Sequence, residues 1–134
     1  MKYLLFTSIV LAVTMCQKDI VSNDQLPLNT EVLIHNNTIL SNQEEGIKLK
    51  MSEVVNDSRC PNPYDCVWEG DGAPTYEFHE NNRTHIFNLH TTLTPKDTTL
   101  GPYNIRLISL LPYPNGTTPI PANQYKSIVI ITKK

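Results

Sequence analysis

Short runs of alternating apolar and polar residues, each closed by Asn, Asp, Gly or Pro, follow one another from about Glu31 to the C-terminus, and no segment sustains a helical period. Such a chain can bury one face of each run only by pairing the runs side by side, so the fold class is all-β and antiparallel. The clearest run is Gly46 to Val55, with Ile47, Leu49 and Met51 on one face and Lys48, Lys50 and Ser52 on the other. Shorter runs precede it at Glu31 to Ile34 and, after an Asn36-Asn37 turn, at Thr38 to Leu40. Pro74 to Glu80 and Arg83 to His90 form a hairpin about Asn81-Asn82, two residues that tolerate positive φ. In that register Glu80 faces Arg83, Phe78 faces His85 and Tyr76 faces Phe87, which puts the aromatic residues on one side. Thr91 to Pro102 reads as loop, and Tyr103 to Leu111 and Tyr125 to Thr132 as the last two strands. The nearly unbroken Ile128 to Ile131 suggests burial on both faces. Six to eight short strands make a small antiparallel β-barrel or two-sheet sandwich.

One loop is held far more tightly than the rest. Cys60 and Cys66 bracket Pro61-Asn62-Pro63-Tyr64-Asp65, preceded by Asp57-Ser58-Arg59 and followed by Val67-Trp68-Glu69-Gly70. A disulfide across this seven-residue ring adds about 2 kcal/mol in the chain-entropy model, and the two prolines fix φ inside it. A Cys-x5-Cys pair with no second pair and no adjacent histidine is a poor zinc site, and a redox motif more often has two residues between its cysteines. Two readings of the ring stand side by side. In the first, Arg59, Pro61, Pro63, Tyr64 and Trp68 form a partner-binding surface, because these residue types dominate contact energy and a preformed loop loses little entropy on docking. In the second, Arg59 and Asp57 lock the turn, Trp68 plugs the core under the disulfide, and only Tyr64 is exposed. A second stiff excursion, Pro112 to Pro121, has four prolines in ten residues.

The N-terminus places the domain. Lys2 and the apolar stretch from Leu4 to Met15 read as an export signal, too short to span a bilayer. Val13-Thr14-Met15-Cys16 resembles the lipobox of bacterial lipoproteins, with Met15 where a small residue is usual; the resemblance implies that Cys16 becomes the lipid-modified first residue. The other reading is plain secretion after cleavage near Thr14. Gln17-Lys18-Asp19 is similar to the start of the export tag of surface-displayed lipoproteins in the Bacteroidota. Three cysteines then divide into one anchor and one disulfide, as an oxidising compartment allows. The organisation expected is a signal peptide over residues 1–15, a lipid-anchored tether over 16–27 and one β domain over 28–134. The location expected is the outer membrane, on its periplasmic or its outer face.

Chemistry-bearing residues do not assemble. Eleven basic against 13 acidic side chains leave no footprint for nucleic acid. No nucleophile elbow, zinc-protease motif or phosphate loop is present. Ser58 beside Asp57 reads as turn chemistry, and strand alternation keeps Glu77, His79, His85 and His90 from converging on a metal. Asp65 and Glu69 read as charges that solvate the loop. Asp97-Thr98-Thr99 resembles the acceptor of bacterial O-glycosylation, and is equally ordinary turn composition. No enzyme, cofactor or metal is therefore expected.

The run Asp57-Ser58-Arg59-Cys60-Pro61, then Cys66-Val67-Trp68-Glu69-Gly70, and later Leu111-Pro112-Tyr113-Pro114 with Tyr125, resembles a widespread group of small secreted and lipoprotein β domains in bacteria, to which no common activity attaches. That resemblance covers most of the domain and implies fold and compartment. In size, anchor and β architecture the chain is also similar to the potempins, lipoprotein inhibitors of secreted proteases. The function expected is a protein-binding module that inhibits a secreted protease. The alternative is a structural or ligand-binding envelope lipoprotein.

Overall fold

The computed structural model describes residues 24–134. The signal segment, Cys16 and most of the tether lie outside the described residues. Eight strands form: β1 (Glu31–His35), β2 (Ile39–Asn42), β3 (Ile47–Asp57), β4 (Gly72–Glu80), β5 (Arg83–Asn88), β6 (Asp97–Leu100), β7 (Tyr103–Leu111) and β8 (Lys126–Lys133), with one 3-10 turn at Ala122–Gln124. They make two four-stranded antiparallel sheets, ordered β1-β8-β7-β6 and β2-β3-β4-β5. The architecture is thus a two-sheet sandwich, not a closed barrel.

Alternation does the sorting. Ile47, Leu49 and Met51 of β3 are buried while Lys48 is exposed. They pack with Tyr76 and Phe78 of β4 against Ile105, Leu107, Val129 and Ile131 of the opposite sheet. The β4–β5 register pairs Glu80 with Arg83, Phe78 with His85 and Tyr76 with Phe87, as the sequence predicts. Asn81 and Asn82 both take positive φ (45° and 61°), the backbone that a two-residue hairpin turn requires. Tyr76 and Phe87 stack with centroids 5.8 Å apart. The hydroxyl of Tyr76 donates to Ser127 Oγ at 2.7 Å across the core, so this buried polar pair is satisfied and ties the two sheets together.

Three features depart from the sequence reading. Asp97–Leu100, which the sequence predicts as loop, is the edge strand β6, paired with β7. Its Asp-Thr-Thr-Leu carries no apolar alternation because an edge strand with a wet face needs none. Leu26, within the tether that the sequence predicts over residues 16–27, is 1% exposed in the core, and its N–H donates to Ser41 O at 3.0 Å. Ile128 and Ile130 are only half-buried, since nothing in the described chain covers the outer face of β8, whereas Ser127, Val129 and Ile131 face inward.

Candidate functional site

Strands β3 and β4 form a long hairpin whose connection, residues 58–71, carries the cysteine ring. Its base continues the ladder: Ser58 N–H donates to Asp71 O at 2.7 Å and Cys60 N–H to Glu69 O at 2.8 Å. Cys60 and Cys66 are disulfide-bonded, with Cα atoms 5.9 Å apart. From Asn62 to Glu69 every residue is exposed. Tyr64 is 53% exposed, Trp68 52% and Val67 wholly so. Trp68 is therefore not a core plug.

Arg59 lies under the ring, 6% exposed. Its Nε and Nη2 grip the two carboxylate oxygens of Asp57, each at 2.7 Å, a bidentate pair. Nη1 donates to Leu110 O at 2.6 Å and Nη2 to Pro112 O at 2.9 Å. Tyr113 covers the guanidinium, with Cζ 5.3 Å from the ring centroid. The arginine thus joins the end of β3 to the end of β7 in the other sheet. It positions the ring and presents no charge to a partner. Alternation predicts that Asp57 and Arg59, two apart, share a face; the Leu110 and Pro112 carbonyls, some fifty residues on, leave no local signal.

The proline-rich excursion buttresses the ring. Asn62 N–H donates to Pro114 O at 3.1 Å, Gly116 N–H to Asn62 O at 2.7 Å, and the Tyr113 hydroxyl to Cys60 O at 2.8 Å. Between the two runs lies a cleft of about 330 Å³ lined by Asp57, Pro61, Pro114, Ile120 and Tyr125 among others. Pro61 is half-buried against this cleft, and Pro63 is exposed on the ring. Of the sequence-selected contact residues, Pro63, Tyr64 and Trp68 face solvent, Pro61 is at the margin and Arg59 is inside.

The ionisable groups at the base are fully engaged. Burial alone would raise the Asp57 carboxyl, but hydrogen bonds from Arg59 and Tyr125 and the arginine's charge outweigh it and hold it below the usual carboxylate range. Tyr125, raised to about 12 by burial and by Asp57, keeps its proton and donates to Asp57 Oδ2 at 2.8 Å. A second clamp closes the far side of the hairpin base. Asp71, 1% exposed, accepts from His90 Nδ1 at 2.6 Å and from the N–H groups of Thr92 and Leu93 at 3.0 and 3.2 Å. Here too burial would raise the carboxyl, and those bonds, with His90 first, win and lower it.

An acid dependence follows. Both carboxyls sit lower folded than unfolded, so the unfolded chain binds more protons in acid. Their stabilisation is complete above the unfolded value of about 3.9 and is lost as pH falls through the lower folded values. Urea midpoints measured downward from pH 5 should be flat at first and then fall below about pH 4. Asp71→Asn should be less stable at pH 7 and fall less steeply in acid.

The remaining candidates do not converge: Glu77 and His79 lie 4.0 Å apart, and the other histidines take separate partners. His79 Nδ1 contacts Thr84 Oγ1 at 2.8 Å, His85 lies 3.7 Å from Glu80, and His90 serves Asp71. Among the described residues no three His, Cys, Asp or Glu side chains converge to hold a metal. A groove of about 450 Å³, lined by Lys48, His79, Asn81, Asn82 and Arg83 among others, lies at the opposite end of the β3–β4 hairpin from the ring.

Comparison with protein-family models, curated proteins and solved structures finds no match to this chain. What the ring does has to be read from its own geometry.

Proposed function

We propose that the chain is a lipid-tethered protein of the cell envelope whose Cys60–Cys66 ring docks on a partner protein, most concretely as an inhibitor of a secreted protease. One observation carries the reading: Tyr64, Val67 and Trp68 stand in solvent on a loop that is immobilised from below by Arg59, from within by the disulfide and from the side by Pro114 and Tyr113. Large apolar side chains in water stabilise nothing in the isolated fold, and on a rigid loop they gain contact area at small entropic cost. Tyr64 at the apex and Trp68 at the base are the anchors. Pro61 and Pro63 stiffen the loop, and Arg59 and Asp57 set its angle. A fixed loop of this kind enters a protease cleft and resists cleavage because its backbone cannot relax.

The test is inhibition of a panel of secreted serine proteases and metalloproteases by the full chain. Cys60→Ser with Cys66→Ser should abolish inhibition. Tyr64→Ala and Trp68→Ala should each weaken it about thirtyfold, about 2 kcal/mol, without moving the thermal midpoint. Inactivity against the whole panel would remove the inhibitor reading and leave docking on some other envelope protein. Capture of envelope proteins that is indifferent to both aromatic substitutions would remove docking through the ring as well.

A further inference from the structure

We infer that the outer face of the β1-β8-β7-β6 sheet is a self-association surface, occupied by a second copy of this chain. The two sheets differ on their outer faces. On β2-β3-β4-β5 that face carries Lys48, Lys50, Glu77, His79 and Thr84, with a Lys50–Glu77 ion pair at 3.5 Å; its exposed apolar residues are scattered, Ile39 and Ile86 on the two edge strands and Val55 at the bulged ring end of β3. That is a solvated surface. On the other sheet Leu33, Ile128 and Ser109 form one cross-strand row, and Glu31, Ile130, Arg106 and Asp97 form the next. The shift in register between Leu107 and Ser109 turns Ile108 outward as well. Leu33 is 41% exposed and Ile108 44%, and Ile128 and Ile130 lie half-buried between them. An apolar stripe therefore crosses three strands; its neighbouring row has Glu31 on β1, Arg106 on β7 and, beyond Arg106 at the β6 edge, Asp97, which accepts from Asn104 Nδ2 at 3.0 Å.

That order of charges identifies the occupant. A two-fold axis in the interface plane and along β8 stacks Ile128 and Ile130 on their own copies and exchanges the flanking strands. It places Glu31 of one copy against Arg106 of the other, and Leu33 against the bulge formed by Ile108 and Ser109, on both sides at once. An isologous interface requires this self-complementarity. Among the described residues neither Glu31 nor Arg106 has an ion-pair partner within its own chain. Lys126, also on β8, meets its own copy only at the rim, where the angle of about 30° between stacked sheets separates the strand ends. About this axis β1, β8 and β7 overlap, with 5, 8 and 9 residues; at about 3.3 Å per residue and about 4.8 Å between strands they cover roughly 350 Å² in plan, well under the ~800 Å² per partner of a standard interface. The dimer is accordingly weak, with a dissociation constant of roughly 10 μM to 1 mM, a concentration that tethering to a membrane favours.

Sedimentation equilibrium of the full chain in density-matched detergent tests this. The expected result is a concentration-dependent dimer. Glu31→Arg and Arg106→Glu should each raise its dissociation constant about tenfold, and the double exchange should return it to within about threefold of the parent. Ile130→Lys should leave a monomer, while Ile86→Lys on the opposite sheet should leave the dimer intact. Far-UV circular dichroism of each variant confirms that it is folded. A chain that stays monomeric to about 1 mM overturns the inference, whether the face is then covered by the chain's own first residues, by another protein or by water. A double exchange that fails to restore the dimer overturns it as well.

Discussion

Arg59→Ala is expected to destabilise the domain by about 3–5 kcal/mol, a third or more of the whole stability of a typical domain of this size. The guanidinium answers four acceptors at once: both oxygens of Asp57, Leu110 O and Pro112 O. Removing it leaves Asp57 ionised and nearly buried with only the Tyr125 hydroxyl and the long bond from the backbone N–H of residue 59, 3.4 Å, beside it, and takes a donor from each of two carbonyls. Arg59→Lys should recover only part of the loss, because one ammonium cannot reproduce the fork that spans Asp57 and still reach both carbonyls. Replacing Asp57 and Arg59 together by apolar residues should not recover it either, since the Leu110 and Pro112 carbonyls still lack the arginine's donors. Thermal melting should show a fall of roughly 10–25 °C for Arg59→Ala. A fall of a degree or two would mean that the sheets are held at this end by something else.

Gly70→Ala should be as severe for a different reason. Gly70 has φ +72°, and a Cβ placed there would lie 1.8 Å from Ser58 O and 2.7 Å from Arg59 Cα. Both are backbone atoms and neither can step aside. Relief requires the two arms of the hairpin to separate, which breaks the bonds from Ser58 to Asp71 and from Cys60 to Glu69 and pulls Arg59 off its acceptors. The expected cost is about 3 kcal/mol or more. Gly46→Ala is the control: it shares the positive φ, +67°, but meets no atom within 4 Å, so it should cost only the backbone term of about 1–2 kcal/mol. Urea unfolding of the two variants side by side separates steric collision from backbone strain. Equal losses would show that close approach at Gly70 does not matter.

The course of the fold was readable where side chains alternate. Ile47, Leu49 and Met51, the Asn81-Asn82 turn and the Tyr76–Phe87 pairing all declare themselves locally, because strand period and turn chemistry act over a few residues. Edge strand β6 and Leu26 were not readable. A solvated edge needs no alternation, and a lone leucine in a polar stretch looks the same whether it caps a core or floats in a tether. The ring was half readable. Its cysteines and prolines predicted a stiff loop, but Asp57-x-Arg59 fits a solvated rim as well as a buried strut. What decides between them is a pair of carbonyls on β7 and just beyond it. Trp68 was open for the same reason, since its surroundings depend on how the ring leans against the Pro112–Pro121 excursion.

The proposed docking surface is aromatic and held rigidly in solvent, and Trp68 reports on it directly because it is the chain's only tryptophan. Iodide quenching of its fluorescence in the folded chain, compared with the same chain in urea, measures its accessibility. With the side chain 52% exposed, quenching should reach about half of the unfolded value. Fluorescence anisotropy in the same sample should show the indole turning with the domain, and reduction of the disulfide should lower it. A tryptophan shielded from iodide in the folded chain, or one that moves freely before reduction, would contradict a preformed docking loop.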